Sequence, residues 1–188
     1  ELYDRIDTIY VENDKFSYTT SVDTITSAYL LLKNRIEYPV FLDKGNKIKI
    51  KGDTINLNFL TISGNIYNEE FTDFQKALEG PTDPSEKTGE ETVDKRTTVE
   101  KANTAEEMAE EFILQHHSSY VSLYLLDKYF VQKETPDFGK IKKLVEVMAG
   151  VLQDKPYIER LNETITQAEK SEIGKYAPFF SLPNAKGE

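Results

Sequence analysis

The period of the hydrophobic pattern changes once along this 188-residue chain, at Gly64, and that change restricts the fold more than any single motif. Before Gly64 apolar residues alternate. In Lys15 to Val22 the residues Phe16, Tyr18, Thr20 and Val22 share one face. Lys47-Ile48-Lys49-Ile50-Lys51 alternates cleanly, which predicts isoleucines inward and lysines in water. After Gly64, Ile66, Phe71, Phe74 and Leu78 recur at near-helical spacing. Strands gathered ahead of helices, with no helix between them, imply an α+β fold built on an antiparallel sheet.

Residues 1–64 form the expected β part. Ile9-Tyr10-Val11 and Lys15 to Val22 read as two strands around a hairpin turn at Glu12-Asn13-Asp14. Ala28 to Lys33 and Ile36 to Leu42 follow, the latter carrying Pro39, which favours an edge strand or a bulge. Asp43 to Asn46 is a turn, and Lys47 to Lys51 and Asn56 to Ile62 complete the set. Short strands at this spacing predict a β-sandwich or open barrel.

Residues 65–172 are expected to add a helical layer of about four helices. The first ends at Gly80-Pro81. Between residues 79 and 111 there are eleven Asp or Glu against four Lys or Arg, so most of the net charge of −10 collects there. The acidic loop at residues 80–100 buries little, since Val93 is the one aliphatic residue from Thr82 to Thr98. Thr104-Ala105-Glu106-Glu107 has the form of a capping box. Ser118 or Ser119 can cap a following helix through Phe130 that is apolar on nearly every side. Ile141, Leu144, Val145, Met148 and Leu152 predict an amphipathic helix that Gly150 weakens near its end. Tyr157, Ile158, Leu161, Ile165 and Ala168 predict another, with Pro156 in its first turn.

Charge and composition exclude several kinds of chemistry. A pI near 4.8 argues against binding a phosphate backbone, so no nucleic-acid partner is expected. No apolar run approaches the ~18–20 residues that span a bilayer. With no cysteine there is no disulfide, thiolate metal site or cysteine nucleophile within these residues. His116-His117 is the one histidine pair. Adjacent helical residues diverge by ~100°, so the two cannot ligate one metal as an i, i+4 pair could, and a helix-end junction is expected. Carboxylates are plentiful, but none lies between apolar neighbours that would raise its pKa. Gly-rich phosphate loops and nucleophile elbows are absent from the sequence. No catalytic, cofactor-binding or metal-ligating residue is therefore assigned. The eleven Tyr and ten Phe either fill a core or line a recognition surface.

The last stretch, Ile173-Gly174-Lys175-Tyr176-Ala177-Pro178-Phe179-Phe180-Ser181-Leu182-Pro183-Asn184-Ala185-Lys186-Gly187, reads as a helix end, a short strand and a turn. It resembles the opening motif of TlpA/ResA-like thioredoxin-like and peroxiredoxin-like proteins, roughly I-G-x-x-A-P-D-F-x-L-x-D-x-x-G-K. Gly174, Ala177, Pro178, Phe180, Leu182 and Gly187 agree, while Phe179 and Asn184 stand where that motif has Asp. The preceding chain resembles the DUF4369 domain found ahead of such modules in Bacteroidetes envelope proteins. The matching pieces are Val11 to Phe16, Tyr38 to Gly45, Ile48 to Asp53, Ile62 to Asn65 and the run Phe112 to Asp127.

The resemblance implies a non-catalytic accessory or interaction domain of an envelope thiol-disulfide oxidoreductase. Residues 173–188 would be the linker and first strand of a thioredoxin-like domain whose Cys-x-x-Cys pair lies further on. Partners would be that domain, with substrate proteins or a second copy as further options. The location implied is the periplasm or cell envelope, with a lipid anchor left open. A stand-alone envelope binding module, recognising glycan or peptide through exposed aromatics, is the alternative.

Overall fold

In the computed structural model, the described residues are 6–32, 36–52, 59–79, 98–153 and 155–170, with side chains from residue 104 onward in the helix that starts at Thr98. They form a mixed α/β chain in two compact units, Glu1–Asn68 and Glu69–Glu188.

The first unit holds four short strands: β1 (Thr26–Leu31), β2 (Glu37–Leu42), β3 (Lys49–Gly52) and β4 (Leu60–Ser63). They pair antiparallel as β1–β2 and β3–β4, two separate two-stranded sheets rather than the expected sandwich or barrel among the described residues. Tyr38 joins them. Its hydroxyl accepts from the Leu60 amide at 2.9 Å and donates to the Leu60 carbonyl at 3.1 Å, all in buried surroundings. One phenol thus does for Leu60 what a neighbouring strand would do, satisfying both backbone groups.

Strand β2 is the core strand, with Tyr38, Pro39, Val40 and Phe41 buried in succession. The Phe41 amide donates to Asn68 Oδ1 at 2.9 Å, and its carbonyl accepts from Asn68 Nδ2 and Asn65 Nδ2, each at 2.8 Å. Both backbone groups of Phe41 therefore point away from β1. Pro39, two residues earlier, shares that orientation, so its missing N–H removes nothing from the β1–β2 ladder. The expected edge placement of Pro39 holds, because in a two-stranded sheet every strand is an edge.

In β3, Ile50 faces Ile62 across the ladder, while Lys49 and Lys51 face Ser63 and Thr61. Ile48 and Ile50 are half-buried, Ile62 is buried and the lysines are exposed, as the alternation required. Gly64 follows β4 at φ +112°, and a Cβ there would lie 2.2 Å from the Lys47 carbonyl oxygen. Only glycine fits both constraints.

Lys15 to Val22 is not a strand. Asn13 and Asp14 do make a tight turn at φ 51° and 59°, with a single Glu12–Lys15 bridge. Beyond it the arms do not zip together, and Tyr18 donates to the Asp7 carboxylate at 2.8 Å. Phe16 and Tyr18 remain 40% and 41% exposed, so no apolar face covers theirs, and a lone ribbon is not stable without one.

The helices are α1 (Ile66–Glu79), α2 (Thr98–Gln115), α3 (Tyr120–Leu126), α4 (Phe138–Val147), α5 (Gly150–Gln153) and α6 (Pro156–Lys170). That is more than the expected layer of about four, and one apolar pattern is divided between two helices. Ile141 to Leu152 was one helix by periodicity. It breaks at Met148, and Gly150 opens α5 instead of weakening an end, while the patterned residues all stay buried. The Thr104 capping box lies inside α2, since Glu100-Lys101-Ala102 are helix formers that carry the helix upstream of it.

Within the second unit, Phe74 meets Phe112 edge-on at 5.7 Å and Phe71 meets Tyr124 edge-on at 5.2 Å. Ile113, Val121, Leu125, Leu126, Ile141, Leu152 and Ile158 complete a fully buried centre. Helix α3 passes into a π-helical stretch, Asp127–Val131, closed by the Gln132 amide on the Asp127 carbonyl at 2.9 Å. The acidic segment from 80 to 97 and the ribbon at 173–188 lie outside the described residues.

Candidate functional site

His116 and His117 follow the last turn of α2, at the helix-end junction the sequence implied. The His116 ring stacks on Phe112 at 4.2 Å, and its Nδ1 lies 3.2 Å from Glu70 Oε1. Ser119 donates its hydroxyl proton to Glu70 Oε2 at 2.5 Å. Ser119 Oγ in turn accepts from the Val121 amide at 3.2 Å, making Ser119 the N-cap of α3. The Ser122 hydroxyl donates to the His116 carbonyl at 2.7 Å, and the Ala149 amide donates to the His117 carbonyl at 2.9 Å.

Serine, histidine and carboxylate therefore meet, but in an order that does not support nucleophilic catalysis. An activated serine needs the imidazole on its oxygen, with the carboxylate behind the imidazole. Here Glu70 sits between the two and holds the serine proton itself. Ser119 is also buried and committed to a helix cap. The cluster is a clamp on the α2–α3 turn. Sequence reasoning named His116 and Ser119 but not Glu70, because a partner 46 residues away leaves no trace in local spacing.

Glu106 anchors a second cluster. It pairs with Lys133 and, at 3.3 Å, with Lys140, which also reaches Glu110 at 2.7 Å. Burial alone would raise the Glu106 pKa, but hydrogen bonds and charge from both lysines bring it below the usual value. The Glu110 hydrogen bond raises that of Lys140, against a smaller opposing effect of burial. Two carboxylates matched by two ammonium groups leave no surplus charge to recruit a ligand. This is a structural network tying α2 to α4.

The π-helical stretch carries the third group. Lys128 Nζ lies 5.5 Å from the ring centroids of both Tyr124 and Tyr129. Desolvation lowers the Lys128 pKa and raises that of Tyr129, although Lys128 as a whole residue is exposed. The Asp127 carboxylate accepts from the Tyr157 hydroxyl at 2.7 Å and from Gln132 Nε2 at 2.5 Å.

Along α6 a groove is bounded by Glu159, Asn162, Glu163, Thr166, Gln167 and Lys170. These are the outward residues of one helix, so the groove encloses nothing. Among the described residues no three His, Asp or Glu side chains gather as a metal site, and no helix is long and apolar enough to cross a membrane.

The first unit is different in kind. Tyr38 and Phe41 are buried, yet Tyr10 is 78% exposed and Phe16, Tyr18 and Tyr29 are each about 40% exposed. Its surface is aromatic where the second unit's aromatic residues are largely packed.

Residues 1–71 match DUF4369, a domain of unknown function. The match takes in all four strands and the start of α1, and stops short of the helical run from Phe112 to Asp127. No curated protein and no solved structure matches the chain.

Proposed function

We propose that this chain is the non-catalytic N-terminal accessory region of a cell-envelope thiol-disulfide oxidoreductase of the TlpA/ResA-like kind. The observation that carries this reading is a pairing in order. A DUF4369 match covers residues 1–71, and residues 173–187 resemble a thioredoxin-type opening motif. The three polar clusters of the second unit support it, since each is used up in holding helices together. In this reading disulfide exchange belongs to a Cys-x-x-Cys pair beyond Gly187, where a lowered thiolate pKa drives attack on a disulfide. Residues 1–172 position that domain or present a surface to its substrate proteins, in the periplasm.

The test is to read the coding sequence past Glu188 and assay both products for reduction of insulin disulfides by dithiothreitol. The expected result is a dicysteine motif within about a hundred codons, with turnover by the extended protein and only background from residues 1–188. A continuation without paired cysteines, or turnover by the shorter chain, overturns the assignment. The exposed Tyr10, Phe16, Tyr18 and Tyr29 favour a second reading, an envelope module that binds glycan or peptide on its first unit. A stop codon directly after Glu188 would favour that one.

A further inference from the structure

Lys49 and Lys51 of β3 and Lys47, two residues ahead of it, are exposed at alternate positions in a chain of net charge −10. Lys44 lies in the turn before them, and residues 44–52 contain no Asp or Glu. Directly across the ladder Lys49 faces Ser63 and Lys51 faces Thr61, so their cross-strand neighbours are neutral hydroxyls. Ile50 and Ile62 take the other face of the ribbon. Among the described residues the ion pairs involve other lysines, Lys76, Lys133, Lys140 and Lys142, and none involves this row. Strand β3 is hydrogen-bonded along one edge, to β4, and no described strand pairs with its other edge.

We propose that the open edge of β3 takes an extended acidic segment of another polypeptide as an added strand, with carboxylates at alternate positions opposite Lys47, Lys49 and Lys51. Two extended chains share the same ~6.5–7 Å repeat between alternate side chains, so three charge pairs align without adjustment. Opposite charges directly across a ladder are favourable, and the backbone of an edge strand supplies affinity of its own. The same row disfavours a second copy of β3, because lysine would then face lysine. The edge is thereby closed to its own kind and open to an acidic strand. An anionic bilayer would use the amines but not the edge. This inference stands whether or not the chain belongs to an oxidoreductase.

The test is fluorescence anisotropy with the full chain and a labelled peptide of about eight residues that alternates Glu with Thr. Two control peptides accompany it, one with Gln for Glu and one N-methylated on alternate residues in either frame. Expected are binding of the Glu peptide at low salt and at least about tenfold weaker binding of both controls. K49E/K51E protein should lose binding to the same extent, and K49Q/K51Q, which keeps side-chain length, part of it. The control peptides need no altered protein, so they decide the matter even if K49E/K51E fails to fold. Three results overturn the proposal. They are no binding of the Glu peptide, equal binding of the N-methylated peptide, and tighter Lys49- and Lys51-dependent binding to phosphatidylglycerol vesicles than to the peptide.

Discussion

Removing the Asn68 side chain should unfasten the core strand of the first unit. Asn68 is 1% exposed, accepts from the Phe41 amide at 2.9 Å, and donates to the Phe41 carbonyl at 2.8 Å and to Asn65 Oδ1 at 2.9 Å. In Asn68→Ala the Phe41 carbonyl keeps Asn65 Nδ2, and Asn65 Oδ1 keeps the Asn68 amide. The Phe41 amide loses the Asn68 Oδ1 acceptor. An orphaned buried donor costs about 1–3 kcal/mol, and the lost hydrogen bonds add about 1 kcal/mol, so a loss of about 2–4 kcal/mol is expected. With a urea m-value of about 2 kcal/mol/M, the midpoint followed by circular dichroism should fall by about 1–2 M.

Asn68→Asp tests the donor half separately. It keeps the acceptor for the Phe41 amide but sets an oxygen against the Phe41 carbonyl and Asn65 Oδ1. The ionised form is disfavoured there, so the folded pKa of the introduced carboxyl should rise above its ordinary ~3.9. An acid whose folded pKa is raised loses stability as pH rises through that value. The variant should therefore lie closest to the parent below about pH 4 and fall behind toward neutrality. An Asn68→Ala loss under about 0.5 kcal/mol, or an Asn68→Asp deficit that does not grow with pH, would refute the bonding described for Phe41.

Tyr38→Phe should lower stability by about 1–3 kcal/mol in the same urea assay, because it strands the Leu60 amide and carbonyl where the two sheets are bridged. Gly64→Ala should lose at least about 3 kcal/mol or prevent folding, since the new methyl meets the Lys47 carbonyl in a left-handed backbone. Glu106→Gln should cost only about 0.5–1 kcal/mol at neutral pH, as its lysine partners are partly solvated. The folded pKa of Glu106 is depressed, so its contribution is present above the unfolded value of ~4.3 and is lost as pH falls through the folded one. Thermal melts of parent and Glu106→Gln should converge in acid.

Much of the architecture is legible in residue order. Periodicity located β1, β2, β3, α1 and α6 to within a few residues, because a buried stripe requires apolar residues wherever the element repeats. It also offered Ser118 or Ser119 as a helix cap, since a hydroxyl just ahead of an apolar run has few other uses, and Ser119 fills that place. The same periodicity reads Lys15 to Val22 as a strand. Alternation states only that one face is apolar, and says nothing of whether a second surface exists to cover it. It likewise joined α4 and α5, because packing keeps Met148 and Leu152 inside through a break that leaves the pattern intact.

Sequence alone determined the switch from strand to helix at Gly64, the lysine-isoleucine alternation of β3 and the lack of any thiol chemistry in these residues. Those properties depend on neighbours along the chain or on composition. Tertiary structure alone decided that Asn68 supplies Phe41 with a second strand's hydrogen bonds, that Tyr38 does so for Leu60, and that Glu70 stands between His116 and Ser119. Each is a polar contact over 22 to 49 residues, set by where folded elements meet. A hydrogen bond needs correct distance and direction but imposes no repeating pattern on the chain, so it becomes readable only once the partners are in place.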